Sequence, residues 1–149
     1  MSHTETLTGQ DIGEANGALD ALLEDAIAAG GVTTRQYLIL RVLARSSYAA
    51  PREFYDYLVG QRQLRLEMTD AVDNVRALET RGLISGADPH GQGPVALTDS
   101  GAELNKKLAA SAAPVAQNVF GDMDPADLQT AHRVLRNIII RAQSLRGTR

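Results

Sequence analysis

The stretch that decides the fold is residues 71–101, which read AVDNVRALETRGLISGADPHGQGPVALTDSG. Its first part places Ala71, Val75 and Leu78 at i, i+4 and i+7, so that they stack on one face of an amphipathic helix. Gly82 then predicts the end of that helix, because glycine adopts the left-handed conformation at a helix C-terminus at little cost. The helix should therefore end just before this glycine.

The residues after Gly82 form two short apolar runs separated by a loop. Residues 83–85 and 95–97 are predicted to be short strands. Residues 86–94 between them hold three glycines and two prolines, which disfavours a regular helix or ladder. Thr98 then predicts a new helix cap. The order helix, strand, loop, strand, helix is typical of a winged helix-turn-helix, a fold that reads DNA.

Several of these residues resemble the MarR (multiple antibiotic resistance regulator) family. The similar segments are the end of the recognition helix, the wing, the start of the next helix, the helix before the DNA-reading pair, and the start of the last helix. In that order they are residues 76–84 (RALETRGLI), Asp88-Pro89, 95–101 (VALTDSG), 33–40 (TTRQYLIL) and 120–128 (FGDMDPADL). The resemblance covers most of the chain from about Leu7 onward, and it implies a DNA-binding regulator that forms a twofold homodimer.

The chain is predicted to be a single domain, mainly α with a small β-hairpin wing. Its winged helix-turn-helix module spans about residues 33–98, and dimerisation helices span about residues 8–29 and 99–146. The last helix should begin at Asp124 and Pro125, a capping acid followed by a proline at the first helical position. The terminal helices carry apolar faces too wide for a small module to cover, which favours burial against a second subunit. The alternative is that these helices pack on one another.

The charge of the chain is unevenly distributed. The net charge is −3, and residues 1–32 hold six acids and no lysine or arginine. Residues 33–98 hold eight arginines and seven acids, so the predicted DNA-reading module is almost neutral. This is a weaker electrostatic footprint than DNA-binding domains usually present.

Composition argues against several other functions. Without cysteine, the chain has no disulfide, thiolate metal site or thiol sensor. Its three histidines lie in distant segments and no nucleophile motif is present, so we expect no metal, no cofactor and no enzyme activity. No apolar run could span a membrane, and residues 1–6 lack the features of a secretion signal. A cytoplasmic location is therefore predicted.

The face of the recognition helix opposite its apolar stripe is predicted to meet DNA. Arg76 could bind guanine or a phosphate, while Asp73 could accept from the N4 amino group of cytosine. Thr69 is predicted to cap the helix start, and Asp70 to complement the helix dipole. With two preceding arginines and the wing tip included, the candidate DNA-binding residues are Arg62, Arg65, Thr69, Asp70, Asp73, Arg76, Thr80, His90 and Gln92.

This chain departs from the family pattern in two places. Asp70 stands where the family usually has serine or threonine, and Asp73 stands where it often has a basic residue. At the wing tip, residues 90–93 (HGQG) carry no arginine for the minor groove. Both changes weaken the attraction to phosphates. The leading prediction is a homodimeric repressor of a near-palindromic operator. The alternative is a MarR-like dimer with weak or lost DNA binding, which acts through protein partners or as an effector-binding protein.

The resemblance also implies a small anionic or aromatic effector, bound between the dimer helices and the DNA-reading module. The candidate effector-binding residues are Tyr37, Arg41, Tyr48 and Phe54, on the second and third helices where those parts meet. For Tyr37 and Phe54, ordinary core packing is the competing interpretation.

Overall fold

The computed structural model describes residues 5–147 of the chain. Within them, four α-helices precede a short β-hairpin and two α-helices follow it. In chain order the elements are α1 (Gly9–Ile27), α2 (Thr34–Arg45), α3 (Pro51–Gly60), α4 (Met68–Thr80), β1 (Ile84–Ser85), β2 (Ala96–Leu97), α5 (Asp99–Phe120) and α6 (Pro125–Gly147). The predicted fold class, mainly helical with a hairpin wing, is confirmed. No helix among these residues is both long and apolar enough to cross a membrane.

Two compact units make up the chain, one ending at Ala113 and the other starting at Pro114. The first unit holds α1 to α4, the hairpin and most of α5. The second unit holds the end of α5 and the whole of α6. The DNA-reading elements predicted from the sequence thus lie in the first unit.

A side-chain cap and a proline define the starts of α2 and α3. Thr33 caps α2, because its Oγ1 accepts the Gln36 N–H at 3.1 Å while the Gln36 side chain accepts the Thr33 N–H at 3.1 Å. This reciprocal capping box satisfies two backbone donors that a helix start would otherwise leave unpaired. Pro51 occupies the first turn of α3, where its missing N–H costs nothing.

The start of α4 differs from the prediction. The N-cap is Glu67, whose backbone is extended, and Thr69 lies inside the first turn. The Asp70 carboxylate reaches back and accepts the Glu67 N–H at 3.3 Å. The assignment of Thr69 as the cap was wrong because a nearby pair of acids, which the helix dipole favours at this end, sets the start instead.

Arg81 anchors the other end of α4. Its guanidinium donates to the carbonyl of Gly31 at 3.0 Å and to the carbonyl of Gly30 at 3.2 Å. Both carbonyls belong to the turn that connects α1 with α2. The fork geometry of arginine suits two such acceptors, so Arg81 ties the end of the recognition helix to that turn.

The wing is a short antiparallel hairpin. Ile84 pairs with Leu97, and Ser85 pairs with Ala96. Val95, predicted to begin the second strand, pairs instead with Tyr48 in the connection between α2 and α3. The Tyr48 N–H donates to the Val95 carbonyl at 2.9 Å, and the Val95 N–H donates to the Tyr48 carbonyl at 2.8 Å. The α2–α3 connection is therefore joined to the base of the wing by one isolated antiparallel bridge.

The core of the first unit lies between α2, α3, α4 and the wing strands. Its largest fully buried side chains are Tyr37, Phe54, Ile27, Ile39, Leu40, Leu58, Leu78, Ile84, Val75 and Val95. Burial of such apolar side chains is the main favourable contribution to folding. Because α2, α3, α4 and the wing share this core, the recognition helix and the wing base have a common support.

The second unit presents an apolar stripe that its own residues do not cover. Asp124 caps α6 as predicted, since its Oδ1 accepts the Ala126 N–H at 2.8 Å. None of the described residues of α6 is buried. Leu135, Ile138 and Ile139 expose 41%, 37% and 40% of their surface, which is a large apolar exposure for one helix face.

Candidate DNA-binding surface and effector cavity

The recognition helix α4 divides into a buried face and an exposed face. Ala71, Val75 and Leu78 are fully buried, which confirms the predicted apolar stripe. On the exposed face lie four of the candidate DNA-binding residues. They are Thr69, Asp73, Arg76 and Thr80. This face therefore exposes a cation, an acid and two hydroxyl groups, which are kinds of group that can hydrogen-bond to base edges.

Asp70 lies at the margin of that face and is engaged at the helix start. Its carboxylate accepts the Glu67 N–H, and its carbonyl accepts from the Asn74 side-chain amide at 2.8 Å. An acid in this turn offsets the positive end of the helix dipole. The structure thus gives Asp70 a role in the helix itself.

Two further candidates, Arg62 and Arg65, precede α4. The Arg65 N–H donates to the Arg62 carbonyl at 3.1 Å and closes a 3-10 turn. Arg65 has a φ of 49°, a left-handed conformation that is uncommon for a residue with a Cβ. Both side chains are exposed, so they place positive charge beside the start of the recognition helix, where phosphates commonly bind.

Arg76 has acidic neighbours on the side of the wing. It lines a cavity of about 160 Å³ together with Glu79, Asp88 and the ring of Tyr55. The two carboxylates reduce the positive potential that Arg76 would present to a phosphate.

The wing tip is a compact turn closed by Asp88. The Asp88 Oδ1 accepts the His90 N–H at 2.9 Å, and the Asp88 carbonyl accepts the Gly91 N–H at 2.9 Å. The side chains of His90 and Gln92 are exposed at this tip. Each can hydrogen-bond to a minor-groove acceptor, but neither brings the permanent charge of arginine.

The root of the wing is held from two sides at Ala87, which is 1% exposed. The Tyr55 hydroxyl donates to the Ala87 carbonyl at 2.7 Å, and the Ala87 N–H donates to Glu79 Oε2 at 3.0 Å. Burial, followed by the charges of Glu79 and Asp88, raises the pKa of Tyr55 to about 12. The phenol is therefore neutral and acts as a hydrogen-bond donor at physiological pH.

This buried phenol predicts a loss of stability at alkaline pH. The ordinary pKa of tyrosine is 10.0 and that of folded Tyr55 is about 12. The stabilisation from the neutral phenol is thus fully present below pH 10 and is lost as the pH rises through 12. We expect the urea midpoint of the wild type to fall between pH 10 and 12, and that of Tyr55→Phe to fall less. Tyr57→Phe, which removes a more exposed phenol, is the control and should follow the wild type. Parallel curves for all three proteins would contradict the prediction.

A cavity of about 350 Å³ lies between the end of α2, α3 and the turn before α4. Arg41 and Arg45, one helical turn apart, line it together with Tyr48 and Tyr57. The rings of Tyr48 and Tyr57 lie 5.7 Å apart, centroid to centroid, and are tilted by 42°. Burial, with Tyr57 as a second cause, raises the pKa of Tyr48. The walls therefore combine two cations with two aromatic faces.

The four candidate effector residues take different positions around this cavity. Arg41 and Tyr48 line it. Tyr37 and Phe54 are buried in the core behind it. The ring centroids of Phe54 and Tyr48 are 5.4 Å apart, and the Arg41 Cζ lies 5.8 Å from the centroid of the Tyr37 ring. The competing interpretation of these two rings, core packing, matches where they lie.

Arg45 and Tyr57, the second cation and the second ring of this cavity, were not among the residues predicted from the sequence. Arg45 could have been found from its i, i+4 spacing to Arg41, which places both on one helix face. Tyr57 follows Phe54 by three residues and so shares its side of α3. No group of three or more His, Asp or Glu side chains within residues 5–147 is arranged to hold a metal ion.

The helix pair α3 and α4, followed by the two-stranded wing, defines a winged helix-turn-helix fold. No family model and no curated protein matches the sequence, but solved structures match the fold. The MarR-family protein Rv2887 of Mycobacterium tuberculosis, in complex with DNA, is 19% identical over 90% of this chain and 98% of that chain, with a TM-score of 0.66. A MarR-family transcriptional regulator from Rhodococcus sp. RHA1 is 20% identical over 90% and 97% of the two chains, with a TM-score of 0.69.

CouR from Rhodococcus jostii RHA1, bound to p-coumaroyl-CoA, is also similar. It is 18% identical over 85% of this chain and 87% of that chain, with a TM-score of 0.66. Other structures of Rv2887 hold salicylic acid or p-aminosalicylic acid. The chain therefore has the fold of MarR-family regulators, as the resemblance in its sequence predicted.

Proposed function

We propose that the chain is a cytoplasmic, homodimeric transcriptional repressor whose binding to DNA is modulated by a small effector. The observation that carries this proposal is the exposed face of α4, with Arg76 at its centre. This face lies beside a wing whose base packs on the same hydrophobic core as α4. The similar protein Rv2887, which has the same fold, forms a complex with DNA. The exposed face is the part of that fold whose residues can reach base edges in a major groove.

Dimerisation is supported by the apolar stripe of α6. Burial of Leu135, Ile138 and Ile139 against a second copy would remove a large apolar area from water. A twofold dimer would then present two recognition helices to major grooves about 34 Å apart, on a near-palindromic operator.

Effector binding is supported by the composition of the larger cavity. The guanidinium groups of Arg41 and Arg45 can pair with a carboxylate, and the rings of Tyr48 and Tyr57 can stack on an aromatic group. CouR and Rv2887 hold p-coumaroyl-CoA and salicylic acid in their structures. We therefore propose an aromatic acid or its thioester as the effector class.

The experiment that tests DNA binding is titration of a fluorescent duplex from upstream of the chain's own gene, at several salt concentrations. We expect affinity to fall steeply as salt rises, because phosphate contacts release counterions. A scrambled duplex of the same composition measures sequence preference. No binding even at low salt would exclude the proposed function.

Two substitutions on the exposed face are expected to act in opposite directions. Arg76→Ala should weaken specific binding by roughly tenfold or more, since it removes a base or phosphate contact. Asp73→Ala should strengthen binding to the scrambled duplex, because it removes a charge that phosphates repel. The ratio of the affinities for the upstream and scrambled duplexes should therefore become smaller. Arg141→Ala on α6 is the matched control and should change neither affinity. If both α4 variants bind like the wild type, this face does not contact DNA.

A second candidate function is a MarR-like dimer that has lost strong DNA binding. The observation that favours it is the concentration of acids at the start of α4, where Glu67, Asp70 and Asp73 would repel the phosphates of a bound duplex. Such a protein would bind the effector or a protein partner, and would leave the duplex unbound at all salt concentrations.

A further inference from the structure

Side chains from α3 and from the recognition helix both bond to the wing at Ala87. Both of its backbone polar groups bond to side chains, the carbonyl to the Tyr55 hydroxyl and the N–H to Glu79 Oε2. Tyr55 is 4% exposed and Ala87 is 1% exposed, so water has little access to the Tyr55 bond, whereas the Glu79 bond is partly buried. A buried backbone group without a partner is costly, which makes these two bonds specific for one position of the wing root.

The hairpin alone provides little to fix that position. Each of its strands has two residues, and a short two-stranded hairpin is marginal by itself. Gly86, just before Ala87, has a φ of 75°, and a Cβ at that position would lie 2.9 Å from the Pro94 carbonyl carbon. The two arms of the wing thus touch beside Ala87, so a side chain that holds Ala87 holds both arms.

We propose that Tyr55 and Glu79 are positioning residues that set the wing relative to the exposed face of α4. The consequence, that these residues set where the wing enters the minor groove, rests on the proposed DNA-binding function. Glu79 lies three residues after Arg76 on α4. Its carboxylate therefore links the helix that carries Arg76 to the wing. Asp88, the other nearby acid, instead bonds to His90 within the wing.

Hydrogen–deuterium exchange of the full chain tests the positioning role without DNA. Glu79→Ala removes the acceptor, Glu79→Gln keeps an acceptor oxygen, and Tyr55→Phe keeps the ring while removing the donor. We expect exchange of the amides in residues 86–93 to rise about tenfold or more in Glu79→Ala, to rise several-fold in Tyr55→Phe, and to stay near the wild type in Glu79→Gln. Asp73→Ala, which removes an exposed acid from the same helix, should leave wing exchange unchanged.

The proposal is overturned if wing exchange in Glu79→Ala and Tyr55→Phe equals that of the wild type. If Glu79→Ala unfolds and loses protection throughout the chain, Tyr55→Phe decides the question, because it retains the buried ring. Loss of protection spread equally over α2, α3 and the wing in Tyr55→Phe would indicate a general packing role and would also overturn the proposal.

Hydroxyl-radical footprinting separates this inference from the proposed function. If the wild type binds DNA, Glu79→Ala should lose protection at the flanks touched by the wing and keep the protection given by α4. An unchanged footprint would overturn the link between the two residues and DNA. If the wild type leaves no footprint, the proposed function fails, while the exchange experiment still decides whether Tyr55 and Glu79 position the wing.

Discussion

Replacing Gly101 with alanine is expected to lower the free energy of unfolding by about 3 kcal/mol, as overpacking of a rigid site does. A Cβ at Gly101 would overlap the Leu83 carbonyl oxygen and lie 2.9 Å from its carbonyl carbon. Those atoms are backbone and cannot rotate away, and the same oxygen accepts the Thr98 N–H at 3.1 Å. The first turn of α5 would therefore have to separate from the residue that leads into the wing. Urea denaturation followed by circular dichroism measures the loss.

Gly13→Ala is the matched control for this substitution. Gly13 also lies in a helix, but a Cβ there would meet nothing within 4 Å. Alanine should stabilise the chain by about 0.5–1 kcal/mol at this exposed position, because it restricts the unfolded chain and favours the helix. If the free energy of unfolding of Gly101→Ala equals that of Gly13→Ala, the first turn of α5 does not pack closely against the Leu83 carbonyl.

Replacing Ile139 with glutamate is expected to convert the proposed dimer to a monomer and to weaken operator binding by roughly a hundredfold or more. The stripe of α6 would then carry a charge that is costly to bury without a partner. A monomer also loses the high effective concentration that a second, linked recognition helix provides. Light scattering coupled to size-exclusion chromatography measures the mass, and the duplex titration measures the affinity.

Ile140→Glu provides the control on the same helix. Ile140 is 58% exposed, and its position lies about 140° around the helix from Leu135, outside the stripe. This variant should remain a dimer and bind like the wild type. A dimer that survives Ile139→Glu at the same protein concentration would show that the stripe is not the interface.

Much of the fold could be predicted from local patterns. Thr33, Pro51 and Asp124 act through neighbours within three residues, so cap and propensity rules suffice to place the starts of α2, α3 and α6. The 3.6-residue period likewise identified the buried face of α4, and through it the exposed face that carries Arg76. Even here a local competitor changed the result, because Glu67 and Asp70 together displaced Thr69 as the start of α4.

The features that sequence reasoning missed depend on residues far apart in the chain. The pairing of Tyr48 with Val95 is a single bridge and leaves no periodic pattern. The meeting of Tyr55 and Glu79 at Ala87 depends on the angle between α3 and α4 and on the path of the wing. Such contacts follow from tertiary packing, which no rule based on spacing within one element can supply.

The double hydrogen bond between Tyr48 and Val95 has a thermodynamic consequence. The backbone of Tyr48 belongs to the base of the wing, whereas its ring belongs to the wall of the larger cavity. Any molecule that fits the cavity only when the backbone of Tyr48 shifts must also strain the two hydrogen bonds that support the wing. Linkage then requires the converse: an operator that holds the wing in place would weaken that molecule's binding by the same factor by which the molecule weakens the operator's.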